Sequence, residues 1–261
     1  MHYIRAGSGT PPLVFVHGFC CSHEDWGLQF DFFKRSHEVV ACDLRGHGRT
    51  PGRTQDVSIE HFGGDVAALL ANLELPKAIL IGHSMGCRVV LEAARVAPDG
   101  VAGVVLIDGS QQGSGDPAAA ELSARAFIDA KGWDAFASGL FGQMFRQESD
   151  LSRAIVARAR RVPAENGMAL WPRMARWDAT YVENVLSGLG VPLLAIQTTY
   201  LNPERKRLSL KAGESSPWLD TVRRAVPHAR VEVLPGLGHF PQIEAAAKLN
   251  VLLQNFAEAL R

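Results

Sequence analysis

Short, unbroken apolar runs recur along this chain, and the stretches between them carry apolar residues at helical spacing. Leu13-Val14-Phe15-Val16, Glu38-Val39-Val40-Ala41-Cys42-Asp43, Ala78-Ile79-Leu80-Ile81, Val101–Ile107 and Val191–Gln197 are runs of this kind. A continuous run without polar alternation is the pattern of a strand covered on both faces, as in a parallel sheet. Ala229–Leu234 alternates in part, and His2–Arg5 is short and polar, so both read as edge strands. Helical spacing predicts helices over Trp26–Arg35, from a Ser58 cap to Leu73, over Cys87–Arg95, over Pro217–Val226 and over 243–260. Strands alternating with helices predict an α/β fold with a mostly parallel, doubly covered sheet. Its ligand site is expected at the C-terminal ends of the strands.

The alternation breaks between Gly113 and Ser187. No strand-like run appears there, and four helical stretches follow one another: Ala118–Ala130, Trp133–Phe145, Leu151–Arg161 and Met168–Leu186. The expected organisation is a core formed by residues 1–112 and 188–261, with 113–187 inserted as a helical cap. A cap over the catalytic edge excludes water and shapes a pocket. Its residues Trp133, Phe141, Met144, Phe145, Trp171, Met174 and Trp177 are candidates to line an apolar pocket, although most cap aromatics are expected to form the cap's own core. The arginines Arg158, Arg160 and Arg161 read as a solvated helix face.

Composition narrows the function classes. An apolar fraction of 47% supplies a sizeable core, and Lys plus Arg balances Asp plus Glu at 27 each. Nothing here favours nucleic acid or an anionic membrane as partner. The chain starts directly in a polar turn, no apolar stretch is long enough to span a membrane, and a cytoplasmic monomer or homodimer is expected. Cys20, Cys21, Cys42 and Cys87 lack metal-ligand spacing and read as buried free thiols. No cofactor or metal site is expected.

The candidate chemistry centres on Gly82-His83-Ser84-Met85-Gly86. It is a G-x-S-x-G motif set between a strand and a helix, the context in which a strained turn lifts a serine hydroxyl above the sheet. The helix N-terminus beyond it directs partial positive charge to the same place. His17-Gly18-Phe19 follows another strand and can present a backbone amide to that edge. Asp108 ends the strand after the elbow helix, and His239 lies in the glycine-rich turn Pro235–Phe240 before the final helix. The loop Asp43-Leu44-Arg45-Gly46-His47-Gly48 lacks phosphate-binding spacing and reads as structural, with Asp43 paired to Arg45. His17, His47 and His83 read as loop supports.

Together, His17-Gly18-Phe19, the Asp43–Gly48 loop, the serine elbow and Gly238-His239-Phe240-Pro241 resemble the α/β-hydrolase superfamily across essentially the whole chain. The resemblance implies Ser84 as nucleophile, His239 as base, and an oxyanion hole from the amides of Phe19 and Met85. One departure matters. The stretch that usually carries the triad acid is here Gln197-Thr198-Thr199-Tyr200-Leu201-Asn202-Pro203, with no carboxylate before Glu204. Asp108 is the preferred acid, since adjacent parallel strands lie about 4.8 Å apart and one histidine can reach both side chains. Some lactone hydrolases and cofactor-free oxygenases of the superfamily resemble this arrangement. Glu204, Glu214 and Asp220 are the alternatives.

The expected reaction is hydrolysis of a small or medium hydrophobic ester or lactone through an acyl-enzyme, and a perhydrolase side reaction fits the same residues. Two rival readings stand beside it. A cofactor-free dioxygenase of aromatic heterocycles would use His239 and Asp108 for deprotonation, with the serine as a binding group. A non-catalytic small-molecule receptor would bind tightly without turnover.

Overall fold

The computed structural model describes every residue except Pro203 and Arg205. In chain order it contains β1 (Tyr3–Ala6), β2 (Leu13–Val16), α1 (Gly27–Phe33), β3 (Val39–Cys42), α2 (Ile59–Asn72), β4 (Ala78–His83), α3 (Met85–Val96) and β5 (Val101–Ile107). The helices α4 (Pro117–Lys131), α5 (Trp133–Phe141), α6 (Asp150–Ala159) and α7 (Ala164–Ser187) follow. Then come β6 (Leu193–Gln197), β7 (Thr199–Leu201), β8 (Arg207–Ser209), α8 (Pro217–Ala225), β9 (Arg230–Val233), α9 (Pro241–Glu244) and α10 (Ala246–Glu258).

Seven strands form one sheet in the order β1-β3-β2-β4-β5-β6-β9. Only β1 runs antiparallel to its neighbour; the other pairings are parallel. The unbroken apolar runs are explained by burial on both faces. Val14, Val16, Leu80, Val104 and Ala195 point to one core, which α2, α3 and α8 share. Their alternates Leu13, Phe15, Ile79, Ile81, Val105 and Ile196 point to the other, packed under Trp26, Phe33 and the α10 residues Leu249, Leu253 and Phe256. Side chains of a strand alternate in direction, so a strand buried on both sides needs apolar residues at every position. The expected edge positions hold: β1 and β9 flank the sheet. Ser58 caps α2 by accepting the His61 N–H.

Residues 113–187 leave the sheet after β5 and return before β6 as the helices α4–α7. The longest, α7, is fixed to the elbow helix by a buried ion pair. Arg88 on α3 donates through Nε and Nη2 to the Asp178 carboxylate at 2.8 and 2.7 Å. Asp178 also accepts the Gln112 N–H.

Two expectations about charged residues are corrected. Asp43 does not pair with Arg45. Its carboxylate accepts the backbone N–H and the Nδ1–H of His23 and the N–H of Arg49, while Arg45 pairs with Asp65 on α2 through two nitrogens. The loop curls its backbone back on the aspartate: a Cβ on Gly48 would lie 2.3 Å from the Asp43 carboxyl carbon. Arg158 is not on a solvated face. It reaches from α6 to the buried Asp25 and to Glu24, leaving Arg160 and Arg161 exposed. All four cysteines are free and buried. Among the described residues, no helix is long and apolar enough to cross a membrane.

Candidate active site

β4 ends at His83 and α3 begins at Met85, so Ser84 alone makes the turn. Its backbone lies at φ 56° and ψ −115°, a conformation that costs an L-residue free energy and must be held by its surroundings. The turn closes because its neighbours lack side chains. A Cβ on Gly82 would sit 2.2 Å from the Gly86 carbonyl oxygen, and one on Gly86 would sit 2.5 Å from that of Val16. Ser84 donates its N–H to the Ile107 carbonyl at 2.9 Å, which ties the turn to the end of β5. Ser84 is partly exposed, whereas residues 82, 83 and 85–87 around it are buried.

Asp108 is the next residue along β5, and it too has a positive φ, 47°. Its carboxylate is fully buried. Oδ1 accepts the N–H groups of Thr198 and Thr199, each at 2.7 Å. Oδ2 accepts the Thr199 hydroxyl and, at 2.6 Å, His239 Nδ1. An ionised carboxylate only accepts, so this contact places a proton on Nδ1 and leaves the Nε2 lone pair free. Nε2 is buried without a hydrogen-bond partner among the described residues. His83, adjacent to Ser84, donates from Nε2 to the His239 carbonyl at 2.7 Å. The histidine loop is thereby anchored to the serine elbow.

Burial opposes ionisation of Asp108, but the bond from His239, the charge of Arg207 and the Thr199 hydroxyl hold its carboxyl below the usual range. His239 is pushed down to about 4, first by burial and then by the positive charge of Arg207. It is therefore a neutral imidazole at neutral pH.

The His17-Gly18-Phe19 loop lies against the elbow. A Cβ on Gly18 would come within 3.2 Å of Ser84 Cβ. Met85 is the first residue of α3, so its N–H has no acceptor within the helix. Among the described residues the Phe19 N–H has no acceptor either. The supporting histidines all serve backbone groups. His17 accepts the Leu44 N–H on Nε2 and faces the Gly18 carbonyl with Nδ1, and His47 faces the Arg45 carbonyl.

Ser84 in its strained turn follows β4, Asp108 follows β5, and His239, bonded to Asp108, lies in the turn after β9. The chain matches the model of the Alpha/beta hydrolase family over residues 13–250. The chain belongs to that family. It is 27% identical over 273 residues to a non-heme haloperoxidase of Rhodococcus erythropolis, covering 97% of this chain and 94% of the relative. It spans 62% of the length of another relative, the dihydrolipoyllysine-residue acetyltransferase component of an acetoin cleaving system of Pseudomonas putida. That match is 28% identical over 256 residues and covers 94% of this chain. A thermophilic esterase from Thermogutta terrifontis superposes with a TM-score of 0.80 at 22% identity, over 99% of this chain and 93% of that one. The enol-lactonase from Burkholderia xenovorans LB400 gives 0.78 at 21%, over 98% and 95%.

For this family member the seven proposed pocket residues separate. Trp133 and Trp171 meet the Phe19 ring edge-on at 6.2 and 5.6 Å between centroids. Phe145 stacks on Phe240, next to His239, at 4.7 Å. Met144 accepts the His239 N–H on its carbonyl at 2.6 Å. Trp177 does not join them: fully buried, it donates to Glu92 on α3 and packs beside Tyr181. Phe141 and Met174 are buried within the helical segment's share of the core. A cleft of about 400 Å³ opens at the seam where Arg158, Val162 and Asn166 face Cys21, Ser22 and Gly48, and it takes no lining from Ser84, Asp108 or His239.

Sequence spacing showed no metal-ligand cluster, but folding brings His2, His23 and Asp43 together, with ligand atoms within 4.8 Å of one another. Asp43 already accepts three N–H groups there, and those bonds account for its burial. Among the residues around the Asp-His pair, sequence reasoning missed Thr198, Thr199, Glu244 and Arg207. The one available signal was positional: the stretch after β6 that lacks the usual acid still occupies that acid's place in the chain.

Proposed function

We propose that this family member hydrolyses small or medium hydrophobic carboxylic esters or lactones. The observation that carries the reading is the buried His239–Asp108 bond of 2.6 Å beside the strained Ser84 turn. In this reading His239 Nε2 takes the Ser84 proton as the hydroxyl attacks the carbonyl carbon. The amides of Phe19 and Met85 receive the oxyanion, a contribution of about 10²–10³ in rate per donor. His239 returns the proton to the leaving oxygen. It then activates the water that releases the acid. Asp108 stays ionised and fixes the imidazole's tautomer. Residues 113–187 act as a cap, and Phe19, Trp133 and Trp171 give the acyl side its apolar wall. The names of the esterase and enol-lactonase of like fold support an ester or lactone, and the haloperoxidase relative is consistent with a perhydrolase side reaction.

The test is a panel of p-nitrophenyl esters, acyl-homoserine lactones and aromatic lactones on wild type and Ser84→Ala, with organophosphate labelling followed by peptide mass mapping. Turnover with a burst, label on Ser84 and loss of both in Ser84→Ala are expected. Oxygen consumption on an aromatic heterocycle that persists in Ser84→Ala would replace this reading with the oxygenase. Tight ligand binding without turnover would replace it with a receptor.

A further inference from the structure

Beyond the expected triad, a cation sits beside the Asp-His pair. Arg207 lies on β8, in the hairpin that follows β6. Its Nη1 is 3.0 Å from His239 Nδ1 and 3.6 Å from Asp108 Oδ2, and it donates to the Thr199 hydroxyl at 2.7 Å. Its side chain is 7% exposed, against 2% for His239 and 0% for Asp108. Two hydrogen bonds hold the hairpin against the histidine turn: Ser209 donates to the Leu237 carbonyl, and Gly236 N–H donates to that of Leu210. Arg207 N–H donates in turn to the Gln143 side chain in the loop after α5. The guanidinium is thus fixed from several sides, and all its hydrogens are donors.

The geometry imposes a conflict. His239 Nδ1 carries the proton it gives to Asp108, so it cannot also accept from Arg207. Two N–H groups of like polarity therefore face each other across 3.0 Å. The arrangement is tolerable while the imidazole is neutral, because Asp108 balances Arg207. It becomes repulsive once the ring gains a second proton. The other groups facing His239 do not offset this. His83 gives its Nε2–H to the His239 carbonyl, and burial keeps that ring neutral. The Glu244 carboxylate is occupied by the N–H groups of Gly238 and Arg146. The Arg146 side chain, on the cap loop, is exposed.

We infer that Arg207 is a positioning residue that holds His239 neutral in acid and so extends the working range of this site to low pH. It is fixed through the Thr199 hydroxyl beside Asp108, whose other carboxylate oxygen accepts the amides of Thr198 and Thr199. The inference rests on the reading of His239 as the base. Its effect is on protonation of the ring, which can be measured without turnover.

The experiment is an NMR titration of ring-labelled histidine in wild type, Arg207→Gln and Arg207→Lys, with His239→Gln to assign the signal. The acid limb of kcat/KM is measured on the same proteins. Wild-type His239 is expected to titrate well below 6.5. Removing a like charge at this range shifts a neighbour by about 1–3 units, so Arg207→Gln raises both the titration and the acid limb. Its activity at pH 5 falls about tenfold relative to pH 8 if the shift reaches two units. Arg207→Lys keeps the charge and restores most of the wild-type profile. Wild-type His239 titrating at or above 6.5 overturns the inference whether or not the Arg207 variants fold. So does an unmoved titration in a folded Arg207→Gln. A ring that shifts as expected in a protein that turns over no ester supports the inference and overturns the function proposed above.

Discussion

Asp108 is where residue-level chemistry is most exposed to test. Its carboxylate accepts from Thr198, Thr199 and His239 at once. Asparagine at this position retains one acceptor oxygen but presents an amide where His239 Nδ1–H needs a partner. The wrong tautomer then becomes favoured, and turnover in Asp108→Asn is expected to fall by about 10⁴-fold, the loss seen for the same change in a protease triad. Steady-state kinetics with a matched circular dichroism spectrum checks this; activity near wild type would sink the assignment. None of the hydrogen bonds of His239 goes to Glu204, Glu214 or Asp220, so their alanine variants are expected to keep turnover within a few-fold. Thr199→Val removes the hydroxyl that joins Asp108 to Arg207. An intermediate loss is expected, visible in kcat rather than KM, because the hydroxyl acts on the base and not on substrate.

Elements were legible in the sequence wherever one force dominated. β2, β4, β5 and β6 are apolar up to their C-terminal residues because both faces are buried, and that burial fixes both their identity and their position inside the sheet. The elbow was readable because Gly82 and Gly86 are demanded by backbone approach. The hairpin β7–β8 was not. It is short, mixed in polarity and stabilised by partners distant in sequence, among them Gln143 and Leu237. Arg207 stayed hidden for the same reason, since a lone arginine in a basic stretch carries no local sign of burial. Trp177 misled in the other direction: an aromatic on a helix between β5 and β6 fits a pocket wall, yet it faces α3. What fastens α7 to α3 there is the Arg88–Asp178 pair, whose side chains are 2% and 0% exposed. Breaking a buried pair by removing one partner costs about 3–5 kcal/mol. Asp178→Asn is therefore expected to lower the midpoint of chemical denaturation strongly, whereas Arg160→Gln, on an exposed residue, leaves it unchanged.

Across the whole molecule, buried imidazoles set the response to acid. Burial pushes His17 down to about 3, His47 and His239 to about 4, and His83 well below 6.5. The unfolded chain therefore binds more protons than the folded one between about 6.5 and 4, and stability falls as pH drops through that window. Asp25 and Asp178 are pushed upward by burial and act in the opposite sense, two groups against four. The melting temperature is expected to be flat from about pH 7 to 8, to decline steadily from about pH 6.5 toward 4, and to fall again above about pH 8.5, where unfolding releases the protons of the buried thiols that burial holds on in the folded state. A melting temperature that rises on the acid side would contradict the burial of these rings.

The loop that follows α5 takes the His239 N–H on the Met144 carbonyl, and its Arg146 N–H shares the Glu244 carboxylate with Gly238. The loop after α5 and the turn that carries His239 thus share one small set of backbone bonds. Displacing this loop would free the His239 N–H and half of the Glu244 carboxylate, while the ring's bond to Asp108 and the carbonyl's bond from His83 do not depend on it. The orientation of the imidazole is therefore insulated from movement of the segment that lies against its backbone.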